Sequence, residues 1–186
     1  MDALNWDLAN DGLGNPKNAK SMHNGILTPP AMWSGVRADQ NVGTMAGQRF
    51  LGFLPDEQVQ KALIEFIGNP RRAPNPWRDL DPEAVQRGKT VFFRARCDVC
   101  HPGPTFTDQK KHDIGLTGPT MEVDVRSRFD TPSLLESYRT APYLHDGRAR
   151  TLREIFTEHN PDNIHGLTGG LSQEEIDALV AYIRTL

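Results

Sequence analysis

The chain has few of the features that mark most functional classes. Among its 186 residues only two are cysteines, so no disulfide framework can hold it together. No stretch approaches the ~18 consecutive apolar residues of a transmembrane helix, so no membrane span is expected. Aromatics make up 8% of the chain and apolar residues 37%. That allows a core but not a membrane protein. The net charge of −3 lacks the basic excess that nucleic-acid binders show. Met1-Asp2-Ala3-Leu4-Asn5-Trp6 lacks the basic start and apolar run of an export leader.

Both cysteines fall in one place, Cys97-Asp98-Val99-Cys100-His101. Cys-x-x-Cys-His is the attachment pattern of c-type haem. The spacing sets two sulfurs to form thioethers with the haem vinyl groups and presents the next imidazole to the iron. A thioredoxin-like pair would need a βαβ setting, whereas helix-like segments flank this one. A zinc finger would need another histidine three to five residues after His112, and none stands there. The expectation is one covalent haem c, held by Cys97 and Cys100, with His101 on the iron. Haem c is attached outside the cytoplasm in bacteria. A periplasmic or otherwise extracytoplasmic location is therefore expected, with the chain a mature product, a fragment or one piece of a longer protein.

Helical periodicity dominates the rest. Asp56 to Ile67 reads as a helix with Val59, Ala62, Leu63 and Phe66 on one face. A proline-rich linker follows to Pro76. Asp81 and Pro82 open a helix that leads into Cys97. Thr131-Pro132 opens a short helix through Leu134, Leu135 and Tyr138. Thr151-x-x-Glu154 and Ser172-x-x-Glu175 are capping boxes. The first starts a helix with Leu152, Ile155, Phe156 and His159 on one stripe, and the second a helix burying Ile176, Leu179, Val180 and Ile183.

There is also an internal repeat. Ser21 through Thr28, Pro30 and Gly35 lines up with Ser133 through Thr140, Pro142 and Gly147, and Leu54–Ile67 with Leu171–Arg184 in apolar pattern. The fold class is mostly α. A cytochrome c-like haem domain over 76–186 follows an incomplete cytochrome-like unit over 1–75 that has no attachment motif.

Several segments together carry a family resemblance. They are Gly88-x-x-x-Phe92 before the haem motif, Phe106-Thr107-Asp108, His112-Asp113-Ile114-Gly115, Phe129-Asp130-Thr131-Pro132, Ala141-Pro142-Tyr143-Leu144-His145-Asp146-Gly147 and Leu179-Val180-Ala181-Tyr182-Ile183. With them, residues 82–186 resemble the C-terminal haem domain of the bacterial dihaem cytochrome c peroxidase and MauG-like family. The resemblance implies a cytochrome c fold in which the helix before Cys97 packs on the C-terminal helix, with Gly88 letting Tyr182 come close. It also implies a distal iron ligand in the helix after His145-Asp146-Gly147, where this chain has His159.

His159 is thus the favoured sixth ligand, from its stripe and from the resemblance, with Met121 as the alternative. His112 is a candidate partner for a haem propionate, and Arg126 and Arg128 offer guanidinium forks for the same purpose. Pro142 is a further haem-contacting candidate. His145 is expected to order its own turn, and His165 to lie at the surface. The reading is an electron-transfer domain with one bis-His haem, working with a redox partner protein or as a subunit of a larger complex. The alternative is part of a dihaem peroxidase or MauG-like oxidoreductase whose catalytic haem lies outside this chain.

Overall fold

A computed structural model describes the backbone of residues 5–6 and residues 17–54, 56–69, 73–116, 128–160 and 162–186. The described elements run β1 (Asn5–Trp6), β2 (Lys17–Asn18), α1 (Gln40–Phe50), α2 (Glu57–Gly68), α3 (Pro82–Arg94), β3 (Lys111–His112), β4 (Phe129–Asp130), α4 (Leu152–Thr157) and α5 (Gln173–Thr185). The strands form two small antiparallel pairs, β1 with β2 and β3 with β4. The architecture is mostly helical, as expected.

The core is the crossing of α3 on α5. Asp81 caps α3 by accepting from the Glu83 and Ala84 amides, and Pro82 takes the first helical position. Ser172 and Glu175 form a complete capping box on α5. The two helices meet where α3 has no side chain. A Cβ on Gly88 would lie 1.9 Å from the Ala178 carbonyl oxygen and 2.8 Å from Tyr182 Cβ. One turn on, Phe92 meets the Tyr182 ring edge-on at 5.4 Å between centroids, a favourable aromatic geometry. Phe92 and Leu179 are both fully buried. Arg94 pairs with Glu175 beside the contact.

Three local expectations change. The helix foreseen from Thr131 is only a 3₁₀ turn at Ser137–Arg139, entered through a left-handed Glu136. The backbone there bonds outward instead: the Thr131 amide donates to the Lys110 carbonyl and the Leu134 amide to the Phe106 carbonyl. Helix α1 was not foreseen, although Val42, Met45, Ala46 and Phe50 recur at helical spacing around Gly43 and Gly47, and none of its residues is buried. Asp39 starts it by accepting from the Val42 amide. Helix α2 forms as foreseen, but its one buried residue is Gln60. That amide faces α1, donating to the Asn41 and Thr44 side chains and accepting from Gln48. Of the expected apolar face, Val59, Ala62 and Phe66 stay exposed and Leu63 is half-buried.

The repeat is visible in the backbone. An isolated bridge joins Ala31 to Arg37, and its counterpart joins Tyr143 to Ala149. Left-handed residues recur in step: Asn24 with Glu136, Met32 with Leu144, Gly35 with Gly147. Asp39 caps α1 where Thr151 caps α4, and Asp56 caps α2 where Ser172 caps α5. The caps set the last pair one residue away from the apolar alignment, so Phe66 matches Tyr182. The two copies are also tied together. The Asn18 amide donates to the His145 carbonyl at 2.7 Å, the Asp130 amide to the Trp33 carbonyl at 2.7 Å, and Lys20 pairs with buried Asp130.

Candidate haem site

At the end of α3 the chain turns through left-handed Arg96 into a 3₁₀ turn at Cys97–Val99. The His101 amide closes that turn on the Cys97 carbonyl at 2.9 Å. His101 is buried, and its Nδ1 donates to the Phe106 carbonyl at 2.9 Å. That bond fixes the tautomer and leaves Nε2 as the lone-pair atom, the usual arrangement of an iron-bound imidazole. Burial also holds the ring's pKa below its ordinary value, which keeps it neutral.

Cys97, Cys100 and His101 line a cavity of about 770 Å³. The volume lies in the upper part of the ~300–1,000 Å³ range of cofactor sites. Burial, then the Asp98 charge, push the Cys97 thiol up to about 12. Burial and Asp108 raise that of Cys100. A dithiol redox centre needs the opposite shift, so the thiols suit attachment rather than disulfide exchange.

A further part of the cavity lining comes from the loop between α4 and α5. Asn160 is buried there and clamps the loop. Its Nδ2 donates to the Gly166 carbonyl and to Thr168 Oγ1, both at 2.8 Å, and its Oδ1 accepts from the His165 amide at 2.9 Å. The Leu167 amide donates to the Ala95 carbonyl at 2.9 Å and ties the loop to the end of α3. Gly166, at φ +85°, lets the loop pass so close that a Cβ there would sit 3.7 Å from Cys97 Sγ. This brings His165 into the cavity wall. Its Nδ1 is buried without a hydrogen-bond partner. Burial first, then the nearby His101 ring, push its pKa down to about 4. A neutral imidazole whose buried Nδ1 has no hydrogen-bond partner thus lines the same cavity as His101. Replacing Asn160 with alanine should cost about 1–3 kcal/mol for the polar groups left unpaired. It should also loosen the His165 loop, read as a mixed-spin optical spectrum in the holoprotein.

His159 is placed elsewhere. Helix α4 stops at Thr157, and Glu158 leaves helical geometry at φ −120°. The stripe is therefore not continued, and His159 gathers with Glu154 and Glu158, their ligand atoms within 4.8 Å of one another. Among the described residues His159 does not line the cavity, whereas His165, expected at the surface, does. His112 and Pro142 line it too. His112 Nε2 bonds Asp108 at 2.7 Å, and the Pro142 carbonyl accepts from Asn18 Nδ2 at 2.6 Å. Arg128 is exposed and off the wall, while Arg96, which the sequence reading passed over, is on it. Arg126 and Met121 lie outside the described residues.

The profile of the cytochrome c family matches residues 85–186. The chain belongs to that family. Within it, the chain falls among MauG-like and dihaem cytochrome c peroxidase proteins. It is 30% identical to hydrazine synthase subunit gamma of Kuenenia stuttgartiensis over 98% of this chain and 68% of that protein. It is 31% identical to the methylamine utilization protein MauG of Methylophilus methylotrophus, over 56% of this chain but only 37% of MauG. A solved hydrazine synthase structure from Kuenenia stuttgartiensis superposes with a TM-score of 0.82 at 28% identity, covering 100% of this chain and 77% of that one. As a cytochrome c, the chain binds haem c covalently and has a redox role.

The cytochrome c wall is not made by the C-terminal copy alone. Pro30 and Pro142, Met32 and Leu144, and Trp33 and His145 are repeat partners, and all six line the same cavity. No apolar stripe marks Trp33 or His165 for this place. For His165 the available signal was polar: Asn160 and Thr168, which frame the loop, are buried.

Proposed function

We propose that the chain transfers electrons through a single covalent haem c whose iron is held by His101 and His165. The observation that carries this is that Cys97, Cys100, His101 and His165 all line one cavity. When bound, the haem supplies a one-electron couple. The chain's own residues decide what that couple can do. Two imidazoles leave the iron no open position, which favours electron passage over peroxide or oxygen chemistry. Phe92, Leu152 and Ile155 line the cavity with apolar surface and keep water from it, while Arg96 offers a cation at the wall. Haem attachment supports a periplasmic location, and none of the described helices is long and apolar enough to cross a membrane. The likeness to a hydrazine synthase subunit supports a role in a larger assembly with a redox partner. Intact mass should show one haem adduct on the wild type and none on the Cys97→Ser, Cys100→Ser double variant. Two adducts on the wild type would overturn the single-haem reading.

A second reading is favoured by the paired wall. The N-terminal copy presents Met32 and Trp33 to the cavity but has no attachment motif of its own. This is the arrangement expected of part of a dihaem oxidoreductase whose catalytic haem lies on residues outside this chain. A second haem on a protein that co-purifies with the chain, with peroxide turnover by the pair and none by the chain alone, would favour it.

A further inference from the structure

Asp130 is a charge that haem attachment does not call for. It is 1% exposed and lines the same cavity as Cys97, Cys100 and His101. Its segment runs past the proximal histidine: four residues on, the Leu134 amide donates to the Phe106 carbonyl, which also accepts from His101 Nδ1. A buried carboxylate is costly unless it is paired. Oδ2 is paired, with Lys20 from the N-terminal copy. Oδ1 is buried as well, and among the described residues no donor reaches it.

A tie between the copies does not explain that oxygen. A buried ion pair gains little over an apolar contact of similar size, and the backbone bonds of Asn18 and Asp130 already join the copies. The charges around Asp130 act in both directions. Burial pushes its carboxyl up, Lys20 pulls it down, and Asp108 and Lys111 add lesser pushes of opposite sign. Lys111 stands opposite Asp130 in the β3–β4 register but gives its ammonium to the Ser34 carbonyl, and Asp108 is bonded to His112. Lys20 is partly exposed, so the pair lies one side chain from water.

We propose that Asp130 Oδ1 takes up the proton that accompanies electron uptake by the haem. This rests on the redox role of the chain and not on which residue is the distal ligand. In a cavity of low dielectric, one positive charge fewer on the iron favours the neutral form of a carboxylate in the wall. As one electron from a donor protein takes the iron from ferric to ferrous, one proton from solvent joins Oδ1. On reoxidation both leave. The coupling is reciprocal, so acid raises the reduction potential.

The test is the reduction potential of the holoprotein, measured spectroelectrochemically at a series of pH values. The wild-type potential should fall with rising pH across one window and be flat on either side. The slope there should be at most about 59 mV per pH unit, the tenfold change in proton activity converted for one electron. Asp130→Asn should abolish the slope and hold the potential near the wild type's acid plateau, since asparagine stands in for the protonated acid. Lys20→Met should keep the slope and move it to higher pH, because the carboxyl loses its cation. A wild-type potential that ignores pH overturns the proposal. So does a slope that survives Asp130→Asn, which would give the proton to another group such as His112. Where Asp130→Asn yields no holoprotein, Lys20→Met decides: a slope left at its original pH overturns the proposal. Failure of the bis-His reading would show in the spin state and not in these slopes.

Discussion

With His101 and His165 as the proposed iron ligands, His165→Ala should turn a low-spin holoprotein high-spin and let its ferrous form bind carbon monoxide, while His159→Ala should leave the spectrum as it was. The contrast follows from where the two rings are held. His165 sits on a loop fixed at three points: Asn160 within the loop, the Ala95 carbonyl at the end of α3, and the close pass of Gly166 by Cys97. His101, the proposed proximal ligand, follows from that same end of α3. One helix terminus thus positions both imidazoles. His159 follows the break in α4 directly and lies beside the Glu154 and Glu158 carboxylates, off the cavity lining. Removing it takes nothing from the cavity. His165→Met should stay six-coordinate and raise the reduction potential, because methionine–histidine ligation raises it. Optical titration with carbon monoxide and a potentiometric titration check the two claims. A low-spin, carbon monoxide-resistant His165→Ala variant would return the distal position to another donor.

How far the site was legible in the sequence depends on what each residue is read by. Cys97, Cys100 and His101 are close in sequence, and their chemistry needs that spacing, so the motif is self-contained. Helices α3 and α5 announce themselves by caps and apolar faces, and Gly88 by its place between them. His159 was drawn into the site by extending a stripe past the point where the helix holds. Ile155 and Phe156 are the last of that stripe, and the backbone leaves helical geometry at Glu158. His165 was missed because its position is set by a polar clamp from Asn160 to Thr168, and such clamps carry no period. The N-terminal wall was legible only as a repeat. Its alignment matched Trp33 to His145, but not that both would line one cavity. Helix α1 does carry Val42, Met45, Ala46 and Phe50 at helical spacing, but Gly43 and Gly47 fall inside that short pattern and no residue of it is buried, so it reads weakly. It folds on its Asp39 cap and on the Gln60 contacts with α2.

Gly88→Leu should be the most damaging single change in the fold. Any side chain at 88 begins with a Cβ placed 1.9 Å from a backbone oxygen of α5 and 2.6 Å from the Ala178 carbonyl carbon. Backbone cannot rotate aside as a flexible side chain can, so α3 and α5 must separate. Separation then pulls Phe92 from Tyr182, an edge-on pair that contributes about 0.5–1.5 kcal/mol beyond its buried area. It also opens the fully buried contacts of Leu179. Overpacking alone costs about 1–3 kcal/mol, occasionally more, and the lost contacts put this variant at or above the top of that range. For a chain of 186 residues about 3 kcal/mol corresponds to a melting temperature lower by roughly 6–12 °C. Phe92 and the end of α3 also line the haem cavity, so the yield of holoprotein should fall with stability. Gly88→Ala carries the same Cβ with nothing beyond it and should show a smaller loss in the same direction. Thermal unfolding followed at the haem band, with holoprotein yield from matched cultures, checks both variants; wild-type melting in Gly88→Leu would mean that the two helices do not cross at this glycine.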